Sequence, residues 1–255
     1  MRRYGPAVLL LLTAGAVLRI SLFGDLYLRY VQAGLRPYLI ASGALLGLLG
    51  LVRAALTGRT PREGTDRERA DREDALTEHQ DAHGHGHSHP GGGPRVAWLL
   101  ALPAAALLLF PPPALGSYSA ARDEGPRPSA NGVGTFPPLP AVDPVDLSVA
   151  EFGSRAVYDS GRSLQGRTVR LTGFVTRGDG SWYVTRLLVG CCAADATAGR
   201  VEVLGAPAPE PDTWVTVTGI WRPEGGPGPS ATWPPLLDAR TVTRVPEPSD
   251  PYEKR

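Results

Sequence analysis

The five histidines of the chain lie in one short stretch, and their spacing points to metal chemistry. From His83 onward they alternate with glycine and serine, the full set being His79, His83, His85, His87 and His89. Imidazole nitrogens are ligands for Zn, Cu, Ni and Fe, and a flexible chain can wrap one ion through several exchangeable ligand sets. The tract predicts adaptable binding of Zn or another divalent transition metal. The alternative is metal binding without a cellular role.

A second set of reactive side chains comes from the only two cysteines, Cys191 and Cys192, which are followed by Asp195. Thiolates and a carboxylate can form part of a metal site or a reactive site. In an extended segment neighbouring side chains point to opposite faces, so joint ligation would need a turn. A disulfide is disfavoured, because consecutive α-carbons are about 3.8 Å apart. The alternative is one buried cysteine and one exposed, with Asp195 capping a turn.

Composition argues against several functional classes. No histidine follows residue 89, so Ser–His chemistry and a Cys–His pair are not available in the C-terminal part. No glycine-rich run lies between a strand and a helix, as a phosphate-binding loop would. A formal net charge of +1 argues against a strongly basic nucleic-acid binder. We therefore expect a non-enzymatic protein without a nucleic-acid partner.

Three apolar stretches predict transmembrane helices. The first two, residues 6–23 and 37–52, make residues 1–52 a membrane region, and residues 96–115 form the third span. Each approaches the length that one helix needs to cross the hydrocarbon core. Three consecutive prolines at 111–113 end the last helix. For the first stretch, a signal peptide cleaved near Ala14-Gly15-Ala16 is the alternative.

Two glycines of the second stretch, Gly43 and Gly47, lie four residues apart on one helix face. Small residues at this spacing let another helix approach closely, although glycine is also tolerated in membrane helices without such a role. We expect Gly43 and Gly47 to form a helix-contact surface.

The arginines predict the orientation of the spans. Arg2 and Arg3 precede the first span, and seven arginines lie between the second and the third, whereas the connection at residues 24–36 holds only Arg29 and Arg36. The positive-inside rule then makes the N-terminus and the His-rich loop cytoplasmic. Everything after residue 115 is expected to be extracytoplasmic.

The remaining chain divides into loops and one folded domain. Residues 53–95 are charged and poor in apolar residues, which predicts a disordered loop, and residues 116–145 have the composition of a linker. From 146 to 245, a short helix with a capping box precedes five stretches of period-two alternation, and residues 246–255 form a tail. Five short strands predict a small OB-like β-barrel, with an open sandwich as the alternative. The expected fold class is membrane α plus all-β.

This layout resembles the YcgQ-like family of bacterial permease subunits. The resemblance is carried by apolar spans on either side of a His-rich loop, by the run from Leu164 to Phe174, by the segment from Cys192 to Asp195 and by the closing Asp250-Pro251-Tyr252. It implies a multi-pass protein of the bacterial cytoplasmic (inner) membrane that works with a separate multi-span permease subunit. Site roles carry over to Cys192 and Asp195, because relatives accept a histidine at the position of Cys191.

The residues and the resemblance together predict a non-enzymatic accessory subunit of a membrane permease complex, linked to transition-metal handling. In this scheme the histidine tract captures metal inside, and the segment from Cys191 to Asp195 engages a ligand or partner outside. Two alternatives stay open. One is a membrane-anchored thiol enzyme using Cys191 or Cys192, which requires a low thiol pKa. The other is an extracytoplasmic module that binds a peptide or glycan through the barrel face.

Overall fold

The computed structural model describes residues 4–58, 109–110, 113–123, 134–160, 162–224 and 232–254. The chain divides into two compact units. The helical unit comprises Met1–Phe23 and Pro37–Pro112, and the β unit comprises Gly24–Arg36 and Pro113–Arg255. The predicted histidine site and most of the predicted third span lie outside the described residues.

The helical unit contains two long apolar helices, α1 (Gly5–Leu22) and α2 (Arg36–Gly58). Mean hydropathy reaches 1.8 in Gly5–Leu22 and 2.0 in Ala33–Gly58, and only 22% and 11% of these windows are buried. A core helix of a soluble protein would bury most of such a window, whereas here large side chains such as Leu45, Leu48 and Leu51 are exposed. This exposure is typical of helices that face lipid.

The C-terminal boundary of the predicted third span is wrong. We predicted that the span reaches residue 115, but Ala114 and Leu115 pack against a core cluster of the β unit. The Leu115 N–H donates a hydrogen bond to the Tyr252 hydroxyl over 3.1 Å. Hydropathy scores apolar residues whatever they pack against. The predicted span therefore included Ala114 and Leu115, although they follow the proline run. The third-span prediction therefore applies only to residues before Pro113.

Where the structure describes it, the β unit contains two short α-helices and seven strands. They are α3 (Ser117–Arg122), β1 (Val145–Asp146), α4 (Val149–Tyr158), β2 (Thr168–Gly178), β3 (Ser181–Val189), β4 (Thr197–Leu204), β5 (Trp214–Arg222), β6 (Leu236–Arg244) and β7 (Tyr252–Lys254). The predicted class, apolar N-terminal helices followed by a C-terminal all-β domain, is confirmed. All five predicted strands are present as β2 to β6. Strand β7 lies in the region expected to be a tail.

The strands form one sheet in the order β1-β2-β5-β6-β4-β3-β7, and β2 also pairs with β3. Strands β2, β3, β4, β6 and β5 are therefore linked in a closed cycle of hydrogen-bonded pairs. The pairing of β4 with β6 is parallel, and the other four pairings in the cycle are antiparallel. Strand β7 joins β3 in parallel at Leu187 to Val189.

Local sequence signals account for several of these elements. Helix α4 begins after Ser148, whose hydroxyl accepts a hydrogen bond from the Glu151 N–H, as its capping box predicts. The β2–β3 hairpin turns at Asp179 and Gly180, which adopt φ values of 52° and 78°. Asn, Asp and Gly suit such left-handed turn positions. The main core lies between α4 and the strands and includes Phe152 and Leu171.

Candidate functional site

The two cysteines lie in a bend directly after β3, in a segment that we call the cysteine loop (residues 190–195). Strand β3 ends at Val189, residues 190 and 191 form the bend, and a 3₁₀ turn follows at Ala193–Asp195. The Sγ atoms of Cys191 and Cys192 are 3.5 Å apart, and both thiols are free. Cys191 is exposed and Cys192 half-buried, so neither is a core residue. The bend supplies the turn that joint use of the two sulfurs requires.

The carboxylate of Asp195 holds this bend together. Its Oδ1 accepts a hydrogen bond from the Gly190 N–H over 2.9 Å, and its Oδ2 accepts one from the Cys191 N–H over 2.8 Å. These two backbone hydrogen bonds lower the pKa of Asp195, the Gly190 bond contributing most. Each oxygen accepts one backbone hydrogen bond, so Asp195 positions the backbone of the cysteine loop.

The thiol of Cys191 is held in its neutral form. Hydrogen bonding to the Cys192 sulfur and then to Asp195 raises the pKa of Cys191 to about 11. A nucleophilic thiol of an enzyme needs a lowered pKa, because the thiolate is the reactive form. The surroundings of Cys191 therefore disfavour the thiolate that thiol catalysis at neutral pH requires.

The connection between α1 and α2, which we call the interhelical segment (Gly24–Arg36), folds against the cysteine loop as part of the β unit. Val31 and Cys192 form an antiparallel bridge. The Gln32 N–H donates to the Cys191 carbonyl over 3.1 Å, and the Ala193 N–H donates to the Tyr30 carbonyl over 2.8 Å. The cysteine backbone is thus held by Asp195 from within the loop and by the interhelical segment from outside.

The side chain of Gln32 adds a further contact to the same place. Its Nε2 donates a hydrogen bond to the carbonyl oxygen of Val189, the last residue of β3, over 2.6 Å. The sequence assigns no site role to the interhelical segment, in which Arg29 and Arg36 serve only to predict the orientation of the spans. No local signal could have found one, because Gln32 and Val189 are 157 positions apart.

Tyr252 connects three distant parts of the β unit. Its hydroxyl donates to the Arg29 carbonyl over 3.1 Å and accepts from the Leu115 N–H over 3.1 Å. Burial raises the pKa of Tyr252, so the hydroxyl stays protonated and can make both hydrogen bonds at neutral pH. Tyr252 belongs to Asp250-Pro251-Tyr252, the closing run on which the family resemblance rests in part. In the structure its hydroxyl links Arg29 to Leu115.

The glycines predicted to contact another helix face α1. A Cβ added to Gly43 would lie 2.9 Å from Leu18 Cγ, and one added to Gly47 would lie 3.6 Å from Ala14 Cβ. Gly50 has the same role, because its added Cβ would lie 2.9 Å from Leu11 Cγ. These glycines pack α2 against α1 within the helical unit.

The described residues contain no group of three His, Cys, Asp or Glu side chains arranged to hold one metal ion. The histidine tract lies outside those residues, so its metal binding stays a prediction. The cysteine loop offers two sulfurs beside the Asp195 carboxylate.

Fold and site together define a protein with two apolar N-terminal helices and a C-terminal all-β domain that includes the interhelical segment. Residues 153–253 match the family model of the DUF1980 C-terminal domain. The chain thus carries a DUF1980 C-terminal domain, which runs from within α4 to β7 and includes the cysteine loop and Tyr252. Neither the curated proteins nor the solved structures contain a significant match to the chain.

Proposed function

We propose that the chain is a non-enzymatic accessory subunit of a bacterial membrane permease complex, of the YcgQ-like kind, and that it takes part in transition-metal handling. The observation that carries this proposal is the folding of the interhelical segment into the β unit. The β unit, which contains the cysteine loop, thereby includes the connection between the two apolar helices. This is the arrangement expected of a domain attached to a membrane anchor.

The same observation supports the proposed membrane topology. That Gly24–Arg36 and Pro113–Arg255 belong to one unit supports placing them on the same side of the membrane. In this scheme helix α2 crosses the membrane once, and a later segment returns the chain. The uncharged apolar stretch from residue 96 is the segment suited to do so. The arginine distribution then assigns the N-terminus and the His-rich loop to the cytoplasm and the β unit to the opposite side.

The cycle of strand pairings supports an OB-like barrel as the fold of the β unit. An OB-fold is a five-stranded barrel, and here five strands pair in a closed cycle with a parallel β4–β6 contact. Gly173 and Gly219 lie where an added Cβ would collide with the backbone carbonyls of Thr185 and Asp238. Such close backbone approach is expected where strands coil sharply.

Co-purification tests the subunit assignment. The tagged full chain is co-expressed with a candidate multi-span permease and extracted in mild detergent. We expect the permease at a constant ratio to the chain through two successive purification steps, and a tagged unrelated membrane protein serves as the control. Recovery of the chain alone, with the permease present in the same extract, would contradict the assignment.

The proposed metal role of the histidine tract is tested separately by calorimetry with Zn²⁺, Ni²⁺ and Cu²⁺. The wild-type chain is compared with a variant in which His79, His83, His85, His87 and His89 are all replaced by alanine. We expect the wild type to bind additional metal that the variant does not. Identical isotherms would reject metal binding by the tract.

A further inference from the structure

We propose that Cys191 and Cys192 form a two-thiolate binding site for one thiophilic d¹⁰ cation such as Zn²⁺, with the remaining coordination positions open to solvent or to a ligand from another molecule. This inference rests on the metal-handling part of the proposed function and assigns it a site outside the histidine tract. It concerns the described cysteine loop alone.

The separation of the two sulfurs fits chelation of a single ion. With metal–sulfur bonds of about 2.3 Å and tetrahedral angles, two thiolates on one Zn²⁺ lie about 3.8 Å apart. The observed Sγ separation is 3.5 Å. A disulfide would require about 2.05 Å, so the free pair is closer to the geometry of a metal chelate than to that of a covalent bond.

The loop holds this geometry before any ion arrives. Cys192 has extended backbone angles, φ −154° and ψ 168°, which in a regular strand would separate neighbouring side chains onto opposite faces. The bend before it brings the sulfurs together, and the Asp195 carboxylate fixes that bend through the Gly190 and Cys191 N–H groups. Hydrogen bonds to Tyr30 and Gln32 immobilise the backbone on the other side. Preorganised ligands lose less conformational freedom on binding.

The chemistry of the site balances without a redox partner. A divalent cation binds two thiols, two metal–sulfur bonds form, and two protons leave to solvent. Structural zinc sites supply four protein ligands, whereas sites that act on or exchange a ligand keep a position open. Among the described residues no group of three His, Cys, Asp or Glu side chains is arranged to hold one ion, so a two-sulfur site with open positions suits capture and transfer of an ion.

Titration with Cd²⁺ tests the site, because cadmium thiolates give an ultraviolet charge-transfer band. The full chain in detergent carries the five histidine-to-alanine replacements, so that the tract does not compete. We expect one Cd²⁺ per chain and release of two protons per ion at pH 7. Cys191→Ser and Cys192→Ser are each expected to weaken binding at least tenfold and to halve the band. Ala193→Ser, which alters the same loop and keeps both sulfurs, is the matched control.

Three results would overturn the proposal: no thiolate band, a band unchanged in both cysteine variants, or one Cd²⁺ shared between two chains. Should the cysteine variants fail to fold, X-ray absorption of the Cd²⁺-loaded chain with both cysteines intact decides, since two Cd–S bonds are expected and none or one would refute the site. Co-purification with the permease is measured on the chain with both cysteines intact. Absence of the Cd²⁺ thiolate band together with constant-ratio co-purification would therefore reject this inference alone.

Discussion

The Asp195 carboxylate receives hydrogen bonds from the backbone N–H groups of Gly190 and Cys191, and the two thiols lie against each other beside it. The sequence leaves two roles open for Asp195, a share in a metal or reactive site with the thiols, or the capping of a turn. The geometry separates the roles, because the carboxylate shapes the loop while the sulfurs stay accessible. A negative charge and a second sulfur next to Cys191 also disfavour its thiolate.

At the residue scale, replacing Cys192 with alanine is expected to lower the pKa of Cys191. The contact with the Cys192 sulfur is the largest cause of the raised pKa of about 11, and its removal leaves only the smaller effect of Asp195 and desolvation. Each unit of decrease raises the thiolate fraction at neutral pH about tenfold. Iodoacetamide alkylation of Cys191, followed from pH 7 to 11 with the labelled residue assigned by mass spectrometry, measures the midpoint.

The control for this experiment is Ala193→Ser, which should leave the wild-type midpoint of Cys191 unchanged. A wild-type midpoint near the ordinary cysteine value of about 8.5 would contradict the described environment of the loop.

Between elements, the clearest coupling joins the C-terminal strand β7 to the start of helix α4. The Glu253 carboxylate accepts hydrogen bonds from the Val149 and Ala150 N–H groups, each over 2.9 Å. Its Oε1 also lies 3.6 Å from Arg186 Nε. A carboxylate at a helix N-terminus satisfies N–H groups that have no partner in the helix and interacts favourably with the helix dipole. The expected tail thus closes the first turn of α4.

Glu253→Ala is therefore expected to lower the free energy of unfolding of the β unit by about 1–2 kcal/mol, the usual cost of removing a helix cap. Glu210→Ala, at an exposed position before β5, should change it by less than about 0.5 kcal/mol. Urea unfolding followed by tryptophan fluorescence measures both. Equal effects of the two replacements would show that β7 does not cap α4.

The two apolar helices α1 and α2 pack together through glycine. Gly43→Val should destabilise the helix pair by about 1–3 kcal/mol, because the added side chain meets Leu18 where no space exists. Gly15→Val is the matched control, since nothing lies within 4 Å of an added Cβ at Gly15. Thermal unfolding in detergent should show a lower midpoint for Gly43→Val only. A similar loss for both variants would mean that valine in either helix, and not the close contact, is responsible.

Sequence patterns predicted the elements better than the contacts between them. Ser148 and the Asp179-Gly180 turn act within a few residues, so their signals are readable, and period-two alternation located all five strands of the cycle. The hydrogen bonds of Glu253 to α4 and of Tyr252 to Arg29 span 103 and 223 positions. No local pattern encodes such pairings. For the same reason the sequence presents the interhelical segment only as a connection, although its Tyr30, Val31 and Gln32 contact the cysteine loop.

At the scale of the whole molecule, Tyr252 links the interhelical segment to the rest of the β unit. Tyr252→Phe is expected to cost about 1–2 kcal/mol, because the Leu115 N–H and the Arg29 carbonyl both lose a hydrogen-bond partner. Hydrogen exchange should accelerate at residues 29–32 and at Leu115. Tyr118→Phe, which removes the same hydroxyl from an exposed ring, should leave these amides unchanged. Unchanged exchange in both variants would refute the linking role.

The central claim is that residues 24–36 and the β unit lie outside the cytoplasm while the histidine tract lies within it. In a Cys191→Ser, Cys192→Ser background, single cysteines are introduced as Gly34→Cys, Tyr118→Cys and Ser88→Cys, and intact cells are treated with a membrane-impermeant maleimide. We expect labelling at positions 34 and 118, and labelling at 88 only after the cells are permeabilised. Labelling of all three positions in intact cells, or of 34 without 118, would contradict the account.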